Sequence, residues 1–242
     1  MIMFNKSKIK ENKLHHIAVI PDGNRRWARA KALKPWFGHK QGKENLKEIL
    51  KIVFELKVPC FSFWASSKDN FEKRSPSEVA FLLDLFKNGS IELVDDKDIH
   101  ENKVKINIIG DWRKQFPEDV KKPMEQLIEA TKNYNKFQLN FLVAYSGIDE
   151  MLKTVKKIVG QNSDKEIITP EFIKKSLLTK DLPPVDYLIR TGGEPHMSSG
   201  FMMWDTADSQ LYFSDKPWPD FTANDFKEAI KEYFTRGRRF GA

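Results

Sequence analysis

Residues 15–42 read HHIAVIPDGNRRWARAKALKPWFGHKQG. An apolar run, residues 17–20, stops at Pro21, and Asp22, Gly23, Asn24, Arg25, Arg26 and Trp27 follow at once. If the run is a strand of a parallel sheet, Asp22 lies at its carboxyl end, where such sheets gather their ligands. Gly23 permits a tight turn or close backbone approach. Asn24 can cap a following helix or hold a ligand oxygen. A helix start attracts anions, and Arg25 and Arg26 add charge-assisted contacts suited to phosphate. A carboxylate among groups that face phosphate is explained by a shared Mg²⁺, a hard ion bound by carboxylate and phosphate oxygens. The stretch therefore reads as a diphosphate pocket with Asp22 on the metal. The plainer alternative is an Asp-Gly turn followed by a basic surface helix. Arg190, before Thr191-Gly192-Gly193, repeats the pattern: a cation at a strand end, next to glycines that let phosphate approach.

These groups need a scaffold. Short apolar runs at 15–20, 60–65, 104–109, 136–142, 185–189 and 210–214 are expected strands. Helical spacing marks 40–56, 77–97, 117–133, 147–160, 170–178 and 222–235. Ser75-Pro76-Ser77-Glu78 is a helix start, with Ser75 capping and Pro76 in the first turn. Strands alternating with helices imply an α/β fold whose mostly parallel sheet is covered on both faces. The expected organisation is one domain over 15–242, preceded by a flexible basic N-terminus, 1–14.

The chain has 242 residues, enough to bury a core without disulfide or metal staples. Its net charge of +7 favours an anionic partner: nucleic acid, an acidic membrane surface or a phosphorylated small molecule. No nucleic-acid module or basic–aromatic pattern is present, so nucleic acid is not an expected partner. The single cysteine, Cys60, points to a reducing compartment and reads as a core residue. No apolar run approaches the roughly 20 residues of a membrane span, and the N-terminus lacks a signal-peptide core. The expected location is the cytoplasm, with peripheral membrane contact.

PDGNRRWA (21–28) resembles a signature of the cis-prenyltransferases, the family of the undecaprenyl and dehydrodolichyl diphosphate synthases. FGHKQG (37–42), SSKDNFEKRS (66–75), IIGD (108–111), VDYLIRTGGE (185–194), LYFSDKPWPDF (211–221) and RGRRFG (236–241) resemble further family blocks, in family order along nearly the whole chain. The resemblance implies a single-domain fold with a central, mostly parallel six-stranded sheet, surrounding helices and a hydrophobic tunnel. It implies condensation of isopentenyl diphosphate with an allylic diphosphate, such as farnesyl or geranyl diphosphate, to make a Z-polyprenyl diphosphate. It further implies Mg²⁺ dependence and a homodimer. By motif position, Asp22 is the catalytic, metal-bound aspartate, and Gly23, Asn24, Arg25 and Arg26 cradle the allylic diphosphate. Trp27 is placed at the tunnel mouth or in plain packing, and His39 near the diphosphate. Asn70, Phe71 and Arg74 match a segment tied to deprotonation, chain contact and phosphate binding, with Ser66 and Ser67 beside it. Arg190 matches the arginine for isopentenyl diphosphate. A phosphate oxygen, Asn70 and Asp22 are the three candidates to take the proton.

The sequence departs from the pattern in five places. Gln210 stands where bacterial members carry a metal-binding Glu, with Asp205, Asp208 or Asp215 as possible substitutes. The family's Arg-x-Ser after RTGGE is missing, leaving His196 and Ser198 in its place, with Arg236, Arg238 and Arg239 as cations that could reach in from a partner subunit. Pro35 replaces an arginine, and AYSGI (144–148) replaces a more polar cluster. Trp64 stands where a small residue is usual. If Trp64 lines the tunnel, it shortens it, and a short- or medium-chain product is expected rather than a C55 chain. The missing Glu and arginine also motivate an alternative: a non-catalytic or partner-dependent subunit.

Overall fold

The structure, a computed structural model, describes residues 14–161 and 167–236. The expected flexible segment 1–14 falls, except for Leu14, outside the described residues, as do Arg238 and Arg239. Six strands form one sheet in the order β3-β4-β2-β1-β5-β6. They are β1 (His16–Ile20), β2 (Cys60–Trp64), β3 (Val104–Ile109), β4 (Phe137–Leu142), β5 (Tyr187–Arg190) and β6 (Gln210–Phe213). Every neighbouring pair is parallel. The strands are short and β-branched or aromatic, and β1, β2 and β5 are buried throughout, as a sheet covered on both faces requires.

The helices are α1 (Asn24–Ala30), α2 (Pro35–Glu55), α3 (Asp69–Lys73), α4 (Pro76–Val94), α5 (Lys97–Glu101), α6 (Trp112–Gln115), α7 (Glu118–Thr131), α8 (Gly147–Gly160), α9 (Pro170–Ser176) and α10 (Ala223–Thr235). Helix α2 starts five residues before the apolar spacing does, because Pro35 at its first position needs no amide partner. Ser75 caps α4 by accepting from the Glu78 amide, as the sequence leads one to expect. Thr222 and Asp225 form a reciprocal capping box on α10.

Alternation along the strands divides the core. Val19, Phe61, Phe63, Ile106, Ile108 and Ile189 pack with Leu46, Leu50 and Leu127 in one cluster. Ala18, Ile20, Trp64, Leu142 and Leu188 pack with Tyr145, Phe201 and Met202 in the other. The chain leaves β1 toward β2 on one side and returns after β4 to β5 on the other, so the carboxyl end of β1 is the topological switch point where doubly wound sheets bind ligands. Among the described residues, no helix is long and apolar enough to cross a membrane.

Candidate active site

The carboxyl ends of β1 and β5 are in register, with Ile20 opposite Arg190, so the residues that follow each strand meet. Asp22 Oδ2 accepts from Arg190 Nη2 at 2.9 Å, and its Oδ1 accepts from the Gly23 amide at 2.6 Å. Its backbone carbonyl takes the Thr191 hydroxyl at 2.9 Å and the Trp218 amide at 2.8 Å. Arg190, with its side chain only 4% exposed, also donates Nη1 to the His196 carbonyl at 2.6 Å and to Ser198 Oγ at 2.7 Å. Arg26 stands 3.6 Å from Asp22 and 3.7 Å from Glu194.

The turn between β1 and α1 depends on glycine. Gly23 has φ +99°, and a Cβ there would lie 2.7 Å from the Pro217 Cα. Gly23, not Asn24, is the N-cap of α1. The expected Asn24 cap is thus corrected: Asn24 is the first helical residue, and its amide donates to the Pro21 carbonyl at 2.8 Å. Its Oδ1 is buried without a partner among the described residues. Helix α2 comes close to this turn at Gly42, where a Cβ would sit 2.5 Å from Asn24 Oδ1 and 2.8 Å from Trp218. This contact gives the FGHKQG segment its physical meaning.

A second cluster lies nearby. Glu78, 3% exposed, is 3.0 Å from Arg74 Nη1, 3.3 Å from His39 Nε2 and 3.6 Å from Arg25 Nε. Arg74 Nη1 is also 3.1 Å from His39 Nε2. Burial lowers the His39 pKa from its ordinary value, while the hydrogen bond to Glu78 works to raise it. The Glu78 carboxyl is held below the usual carboxylate range, first by His39 and, against its burial, by Arg74 and Arg25.

Both clusters open onto one cavity of about 540 Å³, within the usual range for small-molecule sites. Its mouth is polar, with Asp22, Asn24, Arg25, Arg26, His39, Ser66, Ser67, Asn70, Arg74, Arg190 and Ser198 among its lining. The rest of the lining is largely apolar, with Leu46, Leu50, Phe63, Leu85, Phe86, Ile108, Met124, Leu127 and Phe141, and carries Lys43, Lys47, Glu92 and Asp96 as well. A charged mouth leading into an apolar chamber suits a molecule with an anionic head and a hydrocarbon tail.

The sequence model described as "Putative undecaprenyl diphosphate synthase" matches residues 20–241. The chain belongs to the cis-prenyltransferases. A Pyrococcus abyssi protein named tritrans,polycis-undecaprenyl-diphosphate synthase (geranylgeranyl-diphosphate specific) is 41% identical, over 93% of this chain and 86% of that one. A Thermus thermophilus isoprenyl transferase is 38% identical, over 93% and 88%. Among solved structures, lavandulyl diphosphate synthase from Lavandula x intermedia, in complex with dimethylallyl diphosphate, superposes with a TM-score of 0.85 at 27% identity, covering 94% of this chain and 98% of that one. A probable undecaprenyl diphosphate synthase from Campylobacter jejuni gives a TM-score of 0.77 at 25% identity, covering 96% and 100%.

Within this cis-prenyltransferase, three expected site residues stand apart from the cavity. Trp27 turns away from the mouth: its Nε1 donates to Asp220 at 2.6 Å and Lys31 lies over its ring. Phe71 packs edge-on against Phe116 at 4.9 Å. The His196 ring is largely exposed and reaches Ser198 Oγ at 3.3 Å, so only its backbone carbonyl serves Arg190. Trp64 does border the cavity, between Phe63 and Ala65. Its indole stacks on Phe201 at 5.0 Å in the core on the other face of the sheet, because strand alternation points it away from the Phe63 side. The position thus touches the cavity, as the tunnel argument requires, while the ring itself is packed on Phe201.

Gln210 pairs with Tyr187, three residues below the level of Arg190, and its amide is buried without a partner among the described residues. Asp205 is buried and bound to Lys174, beside Val185 at the other end of β5. Neither belongs to the cavity lining. Among the described residues, no cluster of three or more His, Cys, Asp or Glu side chains could hold a metal. Of the carboxylates that line the cavity, Asp22, Glu92 and Asp96, Asp22 is the one at Arg190 and Arg26, and two residues on the Asn24 oxygen is buried without a partner among the described residues. This fits Mg²⁺ arriving with a diphosphate, since that ion typically keeps several waters and takes one or two carboxylates plus substrate phosphates.

Two contributors were missed in the sequence. Glu78 read only as part of a helix start, although its spacing of four from Arg74 was a signal for an ion pair. Thr191, whose hydroxyl fixes the Asp22 carbonyl, read only as part of a glycine loop.

Proposed function

We propose that this cis-prenyltransferase condenses isopentenyl diphosphate with an allylic diphosphate to give a Z-polyprenyl diphosphate of short to medium length, shorter than the C55 chain named for its relatives. The carrying observation is the continuity of the Asp22–Arg190 and Arg25–His39–Arg74 clusters with the apolar chamber. Arg25, Arg26 and Arg190 would bind and orient the two diphosphates at the mouth, and the hydrocarbon would extend past Phe63 and Phe141. Developing charge on the departing diphosphate is stabilised by these preorganised cations. Mg²⁺ held by Asp22 with the phosphates would add neutralisation of that charge. Holding both substrates side by side supplies further acceleration. Asp22 is engaged by Arg190 and the Gly23 amide, and Asn70 Oδ1 by the Ser67 amide at 3.2 Å, which supports a phosphate oxygen as the final proton acceptor.

We further propose a homodimer in the cytoplasm, with peripheral contact to the membrane that receives the lipid product. Ile148, Leu152, Val155 and Val159 form one stripe along α8, each at least half exposed, which supports cover by a second copy. The test is incubation with labelled isopentenyl diphosphate, Mg²⁺ and geranylgeranyl, farnesyl or geranyl diphosphate, followed by chromatography of the dephosphorylated products. Geranylgeranyl diphosphate comes first because archaeal relatives carry that specificity in their names. Failure of the folded protein to make product from any primer would overturn the reading, and activity restored only by a second protein would favour the subunit alternative.

A further inference from the structure

A glutamate side chain is almost never fully buried unless paired, and Glu78 is buried beside three potential cations. Arg25, His39 and Arg74 line the cavity, whereas Glu78 does not. The carboxylate therefore stands behind these three groups as seen from the ligand. We propose that Glu78 is a positioning residue for diphosphate: a fixed counter-charge that aims Arg25, His39 and Arg74 at the cavity and limits how tightly they hold the anion, so that diphosphate can leave after each turnover. The inference rests on the reading of this cavity as a diphosphate site.

The geometry supports both parts. Glu78 is in the first turn of α4, with its amide bonded to Ser75 Oγ, so its backbone is anchored. It reaches three elements at once: Arg25 on α1, His39 on α2 and Arg74 just after α3. His39 Nε2 faces opposite demands. A guanidinium can only donate, so Arg74 asks this nitrogen for its lone pair, while Glu78 asks for a proton. A protonated ring satisfies Glu78 and keeps a second N–H free. Arg25, Arg74 and Glu78 are the charged groups that act on this ring, and Glu78 alone among them favours the protonated form.

The test is calorimetric titration with inorganic pyrophosphate and Mg²⁺, for the wild type, Glu78→Gln and Glu78→Asp. Glutamine preserves size, suits the third position of a capped helix and still offers Arg74 an acceptor, so orientation is largely kept while charge is lost. With orientation kept, the electrostatic effect decides the sign. Glu78→Gln is expected to bind pyrophosphate about tenfold tighter, the scale set by one unit charge a few ångströms behind the anion. Its His39 ring, followed by NMR, should titrate at lower pH than in the wild type, because the group that raises its pKa is gone. Glu78→Asp should return affinity toward the wild-type value. If Glu78→Gln binds pyrophosphate equally or more weakly while the wild type binds it and makes product, the role of Glu78 is overturned and the diphosphate site stands. If the wild type binds no pyrophosphate, both fall.

Discussion

Replacing Asp22 by Asn tests the centre of the site with almost no change of shape. Each Asp22 oxygen accepts a hydrogen bond, one from the Gly23 amide at 2.6 Å and one from Arg190 at 2.9 Å. The Asn side chain offers only one oxygen, so its NH₂ must face one of these donors. Arg190 then loses its only ion pair among the described residues while only 4% exposed. Breaking a fully buried pair costs about 3–5 kcal/mol and an exposed pair about 0–1, and because the Asp22 side chain is 37% exposed, the cost here is about 1–2 kcal/mol. For a chain of this size that lowers Tm by about 2–8 °C. The effect on catalysis is larger, because Asp22 is the single carboxylate proposed to share a metal with the departing diphosphate. Loss of one such electrostatic contact costs about 10²–10³ in turnover, or about 3–4 kcal/mol on the barrier. The assay pairs steady-state kinetics, with both diphosphates saturating, with thermal unfolding of the same preparation. Turnover within tenfold of wild type would remove Asp22 from the chemistry. A loss of activity matched by loss of folded protein would make its role structural.

Other outcomes follow from the same geometry. Gly23→Ala should lower both stability and activity, because the new Cβ lies 2.7 Å from Pro217 at φ +99°; wild-type Tm and turnover would refute this account of the turn. Phe141→Ala, which enlarges the apolar chamber, should shift products to longer chains, whereas Trp64→Ala should leave the length distribution unchanged and cost about 3–5 kcal/mol, read by chromatography and urea unfolding. Leu152→Lys with Val155→Lys should convert a dimer to monomer in sedimentation, and an unchanged mass would clear α8 of that role. His16 is fully buried, and burial lowers its pKa from 6.5 to about 4. The folded state thus resists a proton that the unfolded chain takes up. The His16 contribution is complete above pH 6.5 and declines as pH falls toward 4, by about 2 kcal/mol at pH 5. Urea unfolding of wild type against His16→Gln at pH 7 and pH 5 measures it, and equal pH dependence in the two would refute it.

The strands were legible because each is a short apolar run bounded by turn residues, and all six lie within three residues of their expected limits. The parallel order followed from the helices between them. The pairing of Asp22 with Arg190 was legible only as two similar strand ends, since 168 residues separate them and only the β1–β5 register joins them. The direction of the Trp64 ring was not legible for a related reason, although its place at the cavity was. Family position marked it as unusual, but the one-residue step from Phe63 decides which core it enters. Glu78 was obscured because a glutamate near a helix start has a sufficient local explanation, and its contact with His39 spans 39 positions. The α8 stripe was read as helix without its outward face, because periodicity locates an apolar side and does not tell whether this chain or another covers it.

The arrangement also explains how so many cations stay together before a ligand arrives. Arg190 and Arg26 share Asp22, and Arg26 also faces Glu194. Arg25 and Arg74 share Glu78. Two carboxylates thus hold two pairs of arginines in place. The carboxylates differ in position: Asp22 lines the cavity and Glu78 stands behind it. An incoming diphosphate therefore competes directly with Asp22 for Arg190 and Arg26, a conflict that a metal shared between carboxylate and phosphate resolves. At the other cluster it can bind without displacing Glu78 at all. On this argument the two clusters answer differently to Mg²⁺: diphosphate contacts at Arg190 should depend on it strongly, and those at Arg74 weakly. Pyrophosphate binding by Arg190→Ala and Arg74→Ala, with and without Mg²⁺, separates them. Equal metal dependence in both variants would show that the two carboxylates do the same work.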